Sequence, residues 1–317
     1  MDTFKEKYLK ELYMNQNSKL LVVIVTYNAM TWIDRCVKSL FASSLENDIY
    51  IVDNGSNDGT KDYIKTNYPF VKLFESDENL GFGKANNIGL TYAINESYDF
   101  VYLINQDAWV MPDTLEKLVK TSIEHPNYGI LSPMQLQANL WHFDNNFGAN
   151  LSNWNNTEKF CERLYFQYRK GIYDVERVMA AHWLLTMKCI TSVGGFSPSF
   201  PHYGEDDNYA ERTLHKGLKI GVVLDAVAVH DREQRKMTTK QIIYMSFIQM
   251  ITSFSGWKKN NLLELVLYGF RCIKYVFEYK TILPVIYFIT FISKLNEIKK
   301  NKELSELETA FLQNDKK

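Results

Sequence analysis

Several ingredients that would point to particular functions are missing from this chain. Its four cysteines, Cys36, Cys161, Cys189 and Cys272, are widely spaced and form no paired metal-ligand pattern. Three lie in apolar surroundings, as buried thiols do, which fits a reducing compartment. A net charge of -1 over 317 residues provides no basic footprint for nucleic acid. The opening stretch from Met1 to Lys7 has no apolar core of the kind a secretory signal carries, so export is not expected. No segment holds an uninterrupted apolar run long enough for a membrane span. The glycine patterns of dinucleotide-binding and phosphate-loop proteins are missing too.

What is present is a soluble composition, 46% hydrophobic and 23% charged, with 20 Tyr, 19 Phe and 6 Trp, many of them in the last third. A chain of this length buries one large core or two modest ones, so one catalytic-sized domain with an appendage is expected. Three short apolar runs outline that domain. Leu20 to Ile24 leads into Val25, Thr26, Tyr27 and Asn28; Asp48 to Val52 leads into the Gly- and Asn-rich loop Asp53 to Thr60; Phe100 to Ile104 leads into Asn105, Gln106 and Asp107. Apolar runs that end in small and polar residues are how buried parallel strands deliver loops to a site. Asn28, Asp53 and Asp107 are therefore expected along one edge of one sheet.

Between these runs the spacing predicts helices. Trp32, Ile33, Cys36, Val37, Leu40 and Phe41 fall at helical intervals within Thr31 to Leu45, with Thr31 as the N-cap. A second helix opens at Thr60, and Val71 to Phe74 reads as a short strand. In the segment Glu78 to Gly89, Gly81 and Gly83 allow a close backbone approach, and a helix from Lys84 to Ile94 would offer its first amides and Lys84 to an anion. Pro112 sits where the helix Asp113 to Ile123 begins. Asp107 thus lies between a buried strand and a helix, where it either holds a divalent cation on phosphate oxygens or makes local turn hydrogen bonds.

After the strand Gly129 to Pro133, the stretch Asn139 to Tyr165 lacks periodicity and reads as an inserted excursion or hairpin suited to recognition. Its Trp141, Trp154 and Tyr165 either stack on a sugar or fill a local minicore. Val175 to Leu185 returns to the core, interrupted by His182, which is either an internal histidine or one that reaches the site; the second is preferred. Glu205, Asp206 and Asp207 open a helix after Gly204. Capping explains acids in a first turn, but three adjacent ones exceed what a cap needs, so one is expected to accept a proton from a hydroxyl nucleophile. Leu218 to Val223 and Ala226 to His230 are strands, the second carrying His230 out to ligate a metal or touch a phosphate.

Thr239 to Leu312 is helical and apolar, over Ile242 to Phe254, Leu262 to Tyr279 and Ile282 to Leu295. Lys258, Lys259, Arg271, Lys274, Lys280, Lys294, Lys299 and Lys300 interleave there with aromatic residues. Such helices either lie in a membrane interface or pack as a dimer surface. Asn301 to Lys317 reads as a charged helical tail. The expected organisation is an arm over 1–19, an α/β domain over 20–238, and a helical region over 239–317.

Taken together, Val25 to Asn28, Val52 to Thr60, Asn79 to Gly89, Asn105 to Asp107 and Gly204 to Asp206 resemble family 2 glycosyltransferases, particularly the bacterial rhamnosyltransferase-like branch that builds surface polysaccharides. The resemblance covers roughly Leu20 to Arg232. It implies a GT-A nucleotide-diphospho-sugar transferase fold with a mostly parallel central sheet, a UDP- or dTDP-sugar donor, Mg2+ or Mn2+, and inversion at the anomeric carbon. By position it makes Asp206 the catalytic base. It puts Thr26, Asn28, Asp53, Gly83, Lys84, Asn87, Asn105 and Asp107 on the donor side, with Asp53 at the base of the nucleotide. His182, Trp183 and Glu205 fall on the acceptor side, and Asp107 with His230 would hold the metal. The metal triplet begins with Asn105 rather than Asp, as is common in this branch. Two departures stand out: His182 and Trp183 stand where relatives usually have a small residue, which reshapes the acceptor pocket, and Gly195, Phe196, Ser197 and Pro198 stand where relatives often have Gly-Phe-Asp-Glu.

The implied activity is transfer to a hydroxyl of a glycan, lipid-linked or on a nascent polymer, in the cytoplasm or at the inner membrane face, by a monomer or homodimer. The competing reading is a catalytically silent nucleotide-sugar-binding scaffold of a polysaccharide assembly complex. A nucleotidyltransferase is a third, against which stands the lack of a glycine-rich activation loop near the N-terminus.

Overall fold

The computed structural model describes residues 18–151, 160, 170–232, 237–257 and 262–312. Its first half alternates strand and helix: β1 (Leu20–Thr26), α1 (Ile33–Phe41), β2 (Asp48–Asp53), α2 (Thr60–Asn67), β3 (Lys72–Glu75), α3 (Phe82–Asn95) and β4 (Phe100–Asn105). Next come β5 (Ala108–Val110), α4 (Thr114–Glu124), β6 (Tyr128–Leu136), α5 (Asn145–Leu151), β7 (Ile172–Val175), β8 (His182–Thr186), α6 (Met187–Val193), α7 (Glu205–His215) and β9 (Lys219–His230). Three helices follow: α8 (Thr239–Ser255), α9 (Leu262–Tyr279) and α10 (Leu283–Leu304).

The strands form one sheet in the order β3-β2-β1-β4-β8-β6-β9-β5, and β7 also pairs with β9. β3, β2, β1 and β4 are mutually parallel, as is the β6–β9 pair; β8 runs antiparallel to both β4 and β6, and β5 and β7 run antiparallel to β9. The expected parallel sheet thus forms one half, and the reversed β8 joins it to a mixed half.

Alternation along β1 shows how the sequence builds two cores. Leu21 and Val23 face one side with Leu90, Ala93, Ile190 and Tyr209, while Leu20, Val22 and Ile24 face the other with Ile33, Val37, Leu40, Leu115 and Leu118. Helices α3, α6 and α7 therefore cover one face, and α1, α2 and α4 the other. A strand buried on both sides must be apolar throughout, which is why β1 reads Leu-Leu-Val-Val-Ile-Val before Thr26. Close packing on the first face demands Gly89, since a Cβ there would meet Val23 Cγ1 at 2.5 Å.

Three local expectations are corrected. Helix α1 starts at Ile33 with Trp32 at its N-cap and no side-chain cap, so Thr31 does not cap it, and it stops at Phe41. The Asn139–Tyr165 excursion holds a tight return, with a bridge from Leu136 to Phe143, followed by α5; Trp154 and Tyr165 lie outside the described residues. The terminal stretch is not a helical tail. α10 ends at Leu304, and the chain then turns back onto the sheet domain, where Thr309 N–H donates to Thr191 O at 2.8 Å and Gly195 N–H to Ala310 O at 2.7 Å.

Helices α8 and α10 share an apolar core with Phe200 of the sheet domain, formed by Phe247, Ile248, Ile251, Phe291 and Ile298. Among the described residues no helix is long and apolar enough to cross a membrane.

Candidate active site

The carboxyl ends of β1, β2 and β4 meet at one edge, where open α/β sheets bind ligands. Their loops are tied together. The Asp53 carboxylate accepts from Thr26 Oγ1 at 2.9 Å and from the Ser56 amide at 2.9 Å, and is fully buried. Asn28, in the left-handed region at φ 51°, donates its amide to Ser56 Oγ and accepts from the Asn57 amide. Asn54 then holds the next loop, with Nδ2 donating to Asn79 Oδ1 at 2.9 Å and Oδ1 accepting from the Leu80 amide at 2.7 Å. Gln106 pins the β1 loop to the β4 loop through both the amide and the carbonyl of Tyr27. Thr26, Asn28 and Asp53 thus form one platform, as expected. The Asp53 oxygens face protein groups, so contact with a nucleotide base would have to share or displace one of these two bonds.

A second cluster lies beside it. Asp107 Oδ1 is 3.5 Å from His230 Nε2, Asn105 Nδ2 is 3.5 Å from the same nitrogen, and Asp144 Oδ2 is 3.4 Å from His230 Nδ1. Antiparallel pairing of Ala108 with His230 sets this register, so the ends of β4, β5 and β9 converge. Burial disfavours the imidazolium, but hydrogen bonding and charge from Asp107 and Asp144 outweigh it and raise His230 to about 9. Asp144 was not foreseen. Its Oδ1 accepts from the Asn146 and Phe147 amides at the start of α5 while its Oδ2 faces the histidine. The only hint in the sequence was an acid preceding two Asn residues.

The third component is the first turn of α7. Gly204 precedes it at φ 83°, and a Cβ there would strike Ile248 Cγ2 of α8 at 2.7 Å, so only glycine satisfies both backbone and packing. Burial and then the neighbouring Asp207 raise Asp206 to about 6. The Ala180 amide lies near this carboxylate and partly offsets the rise, while the Asn105 amide donates to Ala181 O at 3.1 Å. Adjacent residues before β8 therefore lie beside both the Asp206 turn and the Asn105–Asp107 loop. Arg177 lies 3.6 Å from Asp207.

Other expected site residues serve packing. His182 is fully buried, and its Nε2 lies 3.0 Å from the Val229 carbonyl. That nitrogen must carry the proton, which leaves Nδ1 to accept from Tyr102 Oη at 2.8 Å. Burial lowers His182 to about 3, so it is a neutral core histidine. Trp183 is equally buried, donating to Val178 O and stacked on Phe196. In this structure neither residue offers a surface to an acceptor. Gly83 packs on Phe196, whose Cβ would lie 2.9 Å from an added Cβ, and also lines the same cavity as Lys84. Asn87 is consumed by the backbone of Phe196 and Phe311. Glu205 is buried with one carboxylate oxygen lacking a partner, and burial, then Asp206, raises it to about 8. Lys84 is exposed and lines a cavity of about 770 Å3 with Tyr50, Phe74, Phe196, Phe200 and Phe311; Asp107, Asp206 and His230 do not line it.

Among the described residues no group of three His, Cys, Asp or Glu side chains is placed to hold a metal ion. Asp107 and, once a cation displaces its proton, His230 would supply two donors 3.5 Å apart, a separation suited to neighbouring positions on one cation. Such a pair fits Mg2+ or Mn2+ only if water and substrate oxygens complete the shell, as is usual for Mg2+ bound to phosphates.

The strand order, the polar platform at one sheet edge and the acid at the start of α7 are those of the GT-A fold, which the chain shares with solved glycosyltransferase structures. Residues 21–173 match the family model described as Glycosyl transferase family 2. Similar curated proteins include the putative glycosyltransferase EpsH of Bacillus subtilis, 32% identical over 106 residues, covering 32% of this chain and 29% of that protein. Another is the N-acetylglucosaminyl-diphospho-decaprenol L-rhamnosyltransferase of Mycobacterium tuberculosis, 31% identical over 124 residues, covering 36% and 40%. These alignments thus span well under half of either relative. The fold is shared with the Staphylococcus aureus TarS 1-349 structure in complex with UDP-GlcNAc (TM-score 0.54, 14% identity, 88% of this chain and 81% of that one). It is shared also with GalNAc-T7 with UDP, GalNAc and Mn2+ (TM-score 0.55, 14% identity, 88% and 57%).

Proposed function

We propose that this protein is an inverting, metal-dependent glycosyltransferase that moves a sugar from a UDP- or dTDP-sugar to a hydroxyl of a lipid-linked glycan in surface polysaccharide biosynthesis, within the rhamnosyltransferase-like branch. The observation that carries this reading is the Ala180–Ala181 segment, which lies between a carboxylate suited to proton removal and a loop suited to a diphosphate.

Asp206 is the general base. As the acceptor oxygen forms its bond to the anomeric carbon, its proton passes to the Asp206 carboxylate, while the bond to the diphosphate breaks on the opposite face and the electron pair leaves with the nucleoside diphosphate. One displacement inverts the centre and requires no enzyme nucleophile. Asp107, Asn105 and His230 orient the diphosphate, with Asp107 and His230 holding the cation, and Asp144 keeps His230 turned towards Asp107. When bound, Mg2+ or Mn2+ offsets negative charge gathering on the leaving group. Thr26, Asn28 and Asp53 set the nucleoside end, and Lys84 supplies a free cation at the helix entry beyond it. A lipid-linked acceptor places the protein at the cytoplasmic face of a membrane.

The test is a survey of UDP-, GDP- and dTDP-sugars with Mg2+ or Mn2+, measuring binding by calorimetry together with release of nucleoside diphosphate. Selective, metal-dependent binding of one donor is expected, with turnover lowered roughly 100- to 10,000-fold by Asp206→Asn and donor binding weakened by Asp107→Ala. Binding of a donor with no turnover on any acceptor would favour the scaffold reading instead.

A further inference from the structure

Helices α9 and α10 carry an apolar face that nothing among the described residues covers. On α9, Leu263, Val266, Leu267, Phe270, Ile273 and Phe277 recur at three- and four-residue intervals, with Phe270 65% and Phe277 78% exposed. The stripe continues across the turn into Ile282, 69% exposed, and along the first half of α10 through Val285, Ile286, Ile289 and Ile292. The opposite sides of these helices face the α8 core through Leu265, Tyr268, Phe288, Phe291 and Leu295, so the outer stripe is surplus to folding. A contiguous exposed apolar face of this kind marks a binding surface.

Charge decides what it binds. Lys274 lies within the α9 stripe and Lys280 at the turn between the helices, both exposed, and Lys299 and Lys300 follow where the α10 stripe ends. Residues 262–304 contain seven Lys or Arg against four Glu, a net +3 in a chain whose total is -1. A twofold contact with a second copy would set one basic stripe against the same basic stripe. Apolar side chains flanked by lysines instead match a bilayer whose acyl region takes the first and whose anionic headgroups take the second.

We propose that the outer face of the α9–α10 hairpin docks on an anionic lipid surface, lying in the interface without crossing it. This deepens the functional reading above, which requires only access to a lipid-linked acceptor, by naming the surface that provides it. The geometry of the hairpin stands independently of the catalytic residues.

The experiment is sedimentation of the full chain with vesicles of phosphatidylcholine alone or mixed with phosphatidylglycerol, without donor. Binding is expected to the mixed vesicles and to be at least about tenfold weaker to phosphatidylcholine alone. Phe270→Ser with Phe277→Ser should weaken partition about tenfold or more on mixed vesicles. Lys274→Glu with Lys280→Glu should do the same and remove the preference for phosphatidylglycerol. Donor binding should stay unchanged in both variants, which shows that they fold. No sedimentation with either vesicle, or sedimentation indifferent to both variants, would overturn the proposal. So would light scattering that shows a dimer dissolved by the two Phe substitutions, with no vesicle binding. Lost vesicle binding with intact transfer to a soluble acceptor removes this surface alone. Intact vesicle binding with no donor binding removes the functional reading alone.

Discussion

Asp206 is held at about 6 because its carboxylate is withdrawn from water beside Asp207. A base must be deprotonated to act, so kcat/KM is expected to rise with pH through an acid limb near 6. A steady-state pH profile checks this; an acid limb at the ordinary carboxylate value would remove Asp206 from the role. Glu205 next to it supplies a stability test. Its folded-state value of about 8 exceeds the ordinary glutamate value of 4.5, so the folded state binds the extra proton between those limits. Its contribution is therefore fully present below pH 4.5 and lost as pH rises towards 8. Urea titrations should show the wild type losing roughly a few kcal/mol relative to Glu205→Gln across that window, and parallel curves for the two proteins would contradict the assignment. Asp144→Asn should turn His230 away from Asp107, weakening Mn2+ binding about tenfold or more by electron paramagnetic resonance with little change in thermal midpoint.

At the scale of elements, Gly204 shows how packing fixes the turn that opens α7. Gly204 joins the loop after Phe200 to α7 in a left-handed conformation while pressed against α8, so the helical region buttresses the turn that carries Asp206. Gly204→Ala meets strain and overlap together and should destabilise the fold by about 1–3 kcal/mol. Because the displaced turn carries the proposed base, kcat should fall more than donor affinity; equal losses in both would show only general damage. The strand-helix alternation from Leu20 to Asn105 was legible because a doubly buried strand and a one-faced helix leave different periods in the sequence. The packing of Gly83 and Asn87 on Phe196 was not, since Phe196 lies more than 100 residues away and only tertiary structure brings it to that helix.

At the scale of the whole molecule, the returning segment Ser305 to Leu312 joins the helical region to the sheet domain. Ala310 fits against Gly194, Leu312 enters the sheet core, and the buried Arg212 guanidinium donates to the Val193 and Gly195 carbonyls beneath the Phe311 ring. Removing residues 305–317 should cost roughly 3–5 kcal/mol, from the lost burial of two or three apolar side chains. Calorimetry should register a lower midpoint, and an unchanged midpoint would show that the segment is not part of the fold.

The sequence by itself determined the sheet edge and its loops, because apolar runs ending in Thr26, Asp53 and Asp107 admit few other arrangements in water. It also marked Asp206, since three acids after a glycine are more than a helix start requires. Tertiary structure alone decided that His182 and Trp183 are core residues, that Asp144 stands behind His230, and that the C-terminal segment returns to the sheet domain. These outcomes depend on contacts between residues far apart in the chain, from 47 positions between His182 and Val229 to 224 between Asn87 and Phe311, and local periodicity carries no record of that.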